Sequence, residues 1–181
     1  MNAFEILGIE PRLVIPAETL ADAYREAGKQ AHPDAGGGEE AFAALRQAFE
    51  ILSSPSRRLR HWLELRGLPV ETRGTLAAEI MDLFSQVGET SQRAEALARR
   101  RDEAKSALGR ALLERETQSC REDVERCIAL VEAAIGRECA VFPDFQNAAA
   151  ADLGAASASV RNLAFLEKWR ASLRAMFSRL V

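Results

Sequence analysis

Histidine and cysteine are scarce in this chain: two and three residues among 181. A zinc site takes three or four His, Cys or carboxylate ligands at short spacing. Here His32 and His61 stand far apart, and Cys120, Cys127 and Cys139 follow at intervals that fit no zinc pattern. Cys120 and Cys127 fall two helical turns apart on one face, and read as small buried apolar residues. No metal and no cofactor are expected. Excess positive charge is also missing: Lys and Arg number 24 against 27 Asp and Glu. With no aromatic interleaving either, nucleic acid is not an expected partner. No apolar run approaches the roughly 18 residues of a membrane-spanning helix. The opening "MNAFEILGIEP" has no basic region followed by an apolar one, and Glu5 and Glu10 precede the first arginine. Neither a secretory signal nor an Arg-rich transit peptide is read there, so a cytoplasmic protein is expected.

Alternating β-branched runs are absent as well, which leaves an all-α chain. At 48% apolar residues it has enough to fill a core. Phe4, Ile6 and Leu7 predict a short first helix ending at Gly8. Pro16 opens a second, with Leu20, Ala23, Tyr24, Ala27 and Ala31 at helical spacing. Pro33 stops it, because the residue before proline is driven out of the α region. Glu39 and Glu40 start a third helix, where the dipole favours carboxylates. Its face is Phe42, Leu45, Ala48, Phe49 and Leu52, and "SSPS" at 53–56 ends it. "RRLRHWLELR" at 57–66 is a short basic amphipathic helix. "GLPVETRG" at 67–74 is the predicted boundary between an amino-terminal unit, 1–66, and a helix bundle, 75–181. In the bundle one helix is predicted from about Thr75 to Val87. A second runs from about Ser91 to Leu113 and continues, bent or broken, through Val124, Cys127, Ile128, Val131 and Ile135. The last carries Val160, Leu163, Leu166, Trp169, Leu173, Met176 and Leu180. The segment "VFPDFQNAAAADLGAAS" between them is read as loop.

The most unusual local sequence is "AHPDAGGG" at 31–38. A catalytic use of His32 and Asp34 needs an acid, a base and a substrate within hydrogen-bond reach. Here Pro33 fixes a turn between the two side chains and no nucleophile accompanies them. The triple glycine lacks the following Gly-Lys-Ser/Thr of a phosphate loop; Glu39 and Glu40 stand there instead. An enzyme using His32 and Asp34 is therefore the remote reading. A polar turn that ends a helix and a stiff exposed turn recognised by another protein both stay open on these residues alone.

The surroundings add a resemblance. "FEILGIEP", "YREAGKQAHPD" and "AFAALRQAFEILSSPSRRLRHWL" occur in the order of a J-domain, whose antiparallel helical hairpin carries a His-Pro-Asp loop. "RRLRHWLELRGLPVE", "AAEIMDLF" and "SVRNLAFLEKWRASLR" resemble the HscB family of iron–sulfur co-chaperones. That resemblance implies a J-domain at 1–66, a linker at 67–74 and a carboxy-terminal three-helix bundle at 75–181. It implies a non-enzymatic protein that stimulates the ATPase of a dedicated HscA-like Hsp70 and delivers an IscU-like scaffold to it. A J-domain with a different client is the alternative.

Site residues follow from the same resemblance. His32, Pro33 and Asp34 would meet the Hsp70, helped by Arg25 and Lys29, although the second helix is thin in positive charge. Arg57, Arg58 and Arg60 would add positive field, or form a solvated helix face. Ile80, Met81, Phe84 and Phe165 would meet the scaffold. At about 100° per residue, Met81 lies at the edge of its helix's apolar stripe and Phe165 about 60° from the centre of its own. For Ile80 and Phe84 the geometry favours a core position. Family members ring this patch with carboxylates; the matching positions hold Ser85, Gly88 and Gln92, and only Glu89 keeps a charge nearby.

Overall fold

A computed structural model describes residues 1–31, 38–71 and 73–180, the side chains of 150–152 excepted. Among these the chain is all-α, with no strand. It divides into two compact units. The first holds 1–74 and 138–164, the second 75–137 and 165–181.

In the first unit α1 is Ala3–Ile6. Asn2 caps it by accepting from the Phe4 N–H at 3.1 Å. Gly8, at φ +61°, turns the chain away in the left-handed region as the sequence predicts. Helix α2 is Ala17–Ala31 and α3 is Glu39–Ser53. They lie side by side: the rings of Tyr24 and Phe49 are 4.5 Å apart, and Gly28 faces Leu45. Position 24 meets 49 while position 28 meets 45, so the two helices run antiparallel. Leu20, Leu45, Ala48 and Leu52 are buried along this pair. Ser54 closes α3 and also caps α4, Pro55–Leu65, by accepting from the Arg57 N–H at 3.3 Å. Pro55 then occupies the first turn, where its missing N–H is no loss. "SSPS" is thus a corner between two helices and not only a stop.

Helix α4 fastens the amino terminus. His61 Nε2 accepts from the Ala3 N–H at 3.0 Å, and its ring stacks on Phe4 at 5.7 Å. Trp62, Leu59 and Leu63 are buried beside them.

Residues 138–164, grouped with the bundle by the sequence reading, lie in this first unit. Part of them is helical where a loop was expected: α7 is Phe142–Asn147, followed by a 3-10 turn at Ala150–Ala155. Phe142 and Phe145 are buried, Arg58 lies over the Phe142 ring at 5.9 Å, and Gln146 accepts from the Leu13 N–H at 2.9 Å. A proline at the start and two buried rings one turn apart suffice to hold six residues as helix here. Pro69 and Glu71 are tied to the same unit. Ser157 donates to the Pro69 carbonyl at 3.3 Å and Arg161 to the Glu71 carbonyl at 3.0 Å.

The second unit contains α5, Ala78–Glu103, most of α6, Ala107–Ala140, and the later part of α8, Ala156–Leu180. The spacing predicts a division between the first two helices near residues 88–90. In the structure α5 continues through Gly88 and the break falls at 104–106. Gly88 lowers helix propensity by only about 1 kcal/mol. Ser106 supplies a real start signal, its hydroxyl accepting from the Gly109 N–H at 3.0 Å. Leu83, Leu97, Val124, Val131, Leu166 and Leu173 are buried in this unit, as are Cys120 and Cys127. Thr117, fully buried, donates to the Leu113 carbonyl at 2.9 Å and so leaves no unmet hydroxyl. The last carbonyls of α8 are drawn to cations: the Leu180 carbonyl accepts from Arg101 at 2.6 Å and from Arg121 at 2.7 Å. No described helix is long and apolar enough to cross a membrane.

His61 makes acid stability testable. Burial lowers its pKa from 6.5; Glu64 opposes this and the amino terminus adds to it. Below pH 6.5 the unfolded chain binds a proton here that the folded chain resists. The stabilisation is full above that pH and is lost as pH falls toward the depressed folded value. His61→Gln should therefore lose less stability than wild type when urea unfolding at about pH 7.5 is repeated at about pH 5.5. Equal losses in the two proteins would contradict the assignment.

Candidate functional site

Two surfaces emerge, one in each unit. The first is the outer side of the α2–α3 pair. His32, Pro33 and Asp34 lie outside the described residues. The helices flanking them are described: α2 ends at Ala31 and α3 starts from Gly38, which supplies no side-chain cap. Arg25 and Lys29 are exposed on α2. Each is held by the carboxylate three residues earlier: Arg25 pairs with Asp22, and Lys29 with Glu26 at 2.8 Å. Exposed pairs of this kind are worth about 0–1 kcal/mol, so a stronger carboxylate exchanges with them cheaply. Phe42 adds an exposed ring in the first turn of α3.

The three arginines after the corner separate into different roles. Arg58 is partly buried, donating to the Leu52 carbonyl at 2.9 Å and covering Phe142. It joins α4 to α3 and α7 and is not a solvated charge. Arg57 is exposed and Arg60 half-buried.

The second surface lies on α5 and α8 within the second unit. Met81, Phe84 and Phe165 are 50%, 54% and 45% exposed, large values for side chains of this size. Ile80 is 4% exposed, as its place in the apolar stripe predicts; it seats the helix and offers no contact area. Phe84 departs from the core position favoured for it. About 40° further round α5 than Ile80, its ring leans on Trp169, centroids 5.8 Å apart, instead of entering the core. Phe165 meets the same indole edge-on at 6.2 Å. The sequence reading assigns Trp169 to the buried stripe of the last helix, but it is half-buried. The signal was available in the spacing: Phe165 and Trp169 are four residues apart and therefore neighbours on α8.

Next along α5, Ser85, Glu89 and Gln92 are exposed and Gly88 is half-exposed. Two aromatic rings thus meet an indole, with Met81 one turn from Phe84 on α5 and Asp82 and Glu89 exposed on the same helix. Exposed apolar groups gathered this way mark contact sites for other proteins. No group of His, Cys, Asp or Glu suited to a metal ion occurs among the described residues.

The chain is similar to known proteins. Residues 2–61 match the DnaJ domain family. The chain is 31% identical over 96 residues to a co-chaperone HscB homolog of Shewanella pealeana, covering 48% of this chain and 55% of that protein. It is 47% identical over 55 residues to chaperone protein dnaJ 2 of Arabidopsis thaliana, covering 30% of this chain and 13% of that protein. The matched region thus spans about half of the HscB homolog and a small part of the plant protein. Among solved structures, chaperone HscB from Vibrio cholerae superposes with a TM-score of 0.62 at 19% identity, covering 100% of both chains. At that identity the superposition establishes the shared fold. The resemblance to HscB-type J-domain proteins read from the sequence is borne out.

The exposure of the patch is testable by stability alone. Met81→Ser and Phe84→Ser should each change unfolding free energy by no more than about 1 kcal/mol. Leu166→Ala, at a fully buried position, should lose about 2–5 kcal/mol. Urea unfolding compares them, and a Phe84→Ser loss as large as that of Leu166→Ala would return Phe84 to the core.

Proposed function

We propose that this chain, an HscB-type J-domain protein, is a non-enzymatic cytoplasmic co-chaperone. Its His32-Pro33-Asp34 turn stimulates ATP hydrolysis by an HscA-like Hsp70, and its second unit presents an IscU-like iron–sulfur scaffold to that Hsp70. The reading rests on one conjunction. A DnaJ domain at 2–61 and an exposed apolar patch around Met81, Phe84 and Phe165 occur in a single chain of HscB fold.

The chemistry asked of each surface is modest. Pro33 has a fixed φ, so little entropy is lost when the turn is gripped. Asp34 offers a carboxylate for a charge-assisted pair with a basic group of the Hsp70. Arg25 and Lys29 exchange their local partners for carboxylates on that protein. The rise in hydrolysis comes from binding one conformational state of the Hsp70 in preference to another; no bond is made or broken by this chain. Carrying both surfaces on one chain raises the local concentration of client at the Hsp70, into the millimolar range for typical tethers.

A second reading keeps the J-domain and changes the client. Ser85, Gly88 and Gln92 motivate it, because they stand where carboxylates ring the patch in the family.

His32→Gln should abolish stimulation of Hsp70 ATPase in single-turnover assays while leaving the circular dichroism spectrum and scaffold binding unchanged. Stimulation retained by the variant would contradict the role given to the turn.

A further inference from the structure

We infer that Trp169 is the central anchor of the second surface, and that the client face it meets is apolar and close to neutral. The inference rests on the reading that this surface takes the iron–sulfur scaffold, and it concerns what holds the two together.

The Trp169 ring meets both other rings of the patch, at 5.8 Å to Phe84 and 6.2 Å to Phe165. The chain's other tryptophan, Trp62, is 1% exposed and belongs to the core of the first unit. Trp169 keeps an accessible surface between two side chains that are about half exposed. A large rigid side chain at the middle of a patch, shielded from water by neighbours once a partner arrives, is where binding energy concentrates. Met81, on the same side of α5, completes the rim with an adaptable thioether.

The charge around this cluster selects the partner face. Of the outward positions beyond Met81 and Phe84 on α5, Ser85, Gly88 and Gln92 are uncharged and Glu89 carries a charge. A Cβ added at Gly88 would meet nothing within 4 Å, so the bare backbone there is not demanded by the chain's own packing. Charged residues flanking these positions in sequence include Glu79, Asp82, Glu89 and Arg93 on α5 and Glu167, Lys168 and Arg170 on α8, of both signs. Such a border produces little net field, and a strongly basic or acidic partner face gains nothing from it. Affinity must then come from removing aromatic surface from water, which salt does not screen.

The test is calorimetric titration of the full chain with purified scaffold protein. Trp169→Ala should weaken binding at least about tenfold, and Trp169→Phe should recover most of it. Wild-type affinity should change less than about threefold between roughly 50 and 500 mM salt. Undiminished binding by Trp169→Ala, or a loss of wild-type affinity of about tenfold or more with salt, would overturn the inference while leaving the scaffold reading in place. The salt titration needs no variant and decides the charge of the client face even if Trp169→Ala fails to fold; Trp169→Phe, which keeps a ring, then tests the anchor, and binding by it no weaker than wild type together with strong salt dependence would overturn the inference. Failure of the wild-type chain to bind scaffold at all would overturn both.

Discussion

The contact on which the amino-terminal unit depends is the ring of Tyr24 against the ring of Phe49. With Gly28 against Leu45 it fixes α2 and α3 as an antiparallel pair in one register. The register matters because residues 32–37 join those two helices. Their flanking helix ends, Ala31 and Glu39, belong to a frame held by Leu20, Leu45, Ala48 and Leu52. The frame is held in turn from beneath. Ser54 and Pro55 turn the chain sharply into α4, and His61 on α4 holds α1 through the Ala3 N–H and the Phe4 ring. Sequence-local signals thus set the helices, and a few ring contacts set their order.

In the second unit the same kinds of residue do the opposite work. Leu83, Val87, Leu166 and Leu173 are buried, while Phe84 and Phe165 remain at the surface around Trp169. Exposed aromatic area gains free energy when a partner removes it from water, and aromatic rings gathered at a surface mark a contact site. The ion pairs of this unit have a smaller part. Arg100 with Glu116 and Arg174 with Glu132 are both about half exposed and add little to stability. Their orientation of α6 against α5 and α8 is supplementary to the buried leucines.

Much of the fold was legible because helical spacing and punctuation agree. Gly8, Pro16, Glu39 with Glu40, and the 53–56 corner each mark a helix end found in the structure. What escaped was decided by tertiary context. Gly88 looks like a break, yet its propensity penalty is small against a long helix packed along one face. Ser106 was the stronger signal. Residues 142–147 form a helix because Phe142 and Phe145 are buried, a fact about neighbours and not about the segment. Phe84 and Trp169 sit at stripe edges, where the angular count alone divides poorly between core and surface; their tilted ring-to-ring contact decided it. His61 carries no motif, and its role depends on a contact 58 residues away in sequence. The His-Pro-Asp sequence at 32–34 stands out as a motif through its order among the flanking helices, and itself lies outside the described residues.

The proposed function requires two distinct surfaces on one chain, the helices flanking His32, Pro33 and Asp34 for an Hsp70 and an aromatic patch for a client. Amide chemical-shift mapping on the isotopically labelled full chain tests it most directly. Adding ATP-bound Hsp70 should move signals within 17–53 and leave 81–92 and 165–172 unchanged. Adding scaffold should do the reverse. Shifts from both proteins converging on the same residues would contradict the account.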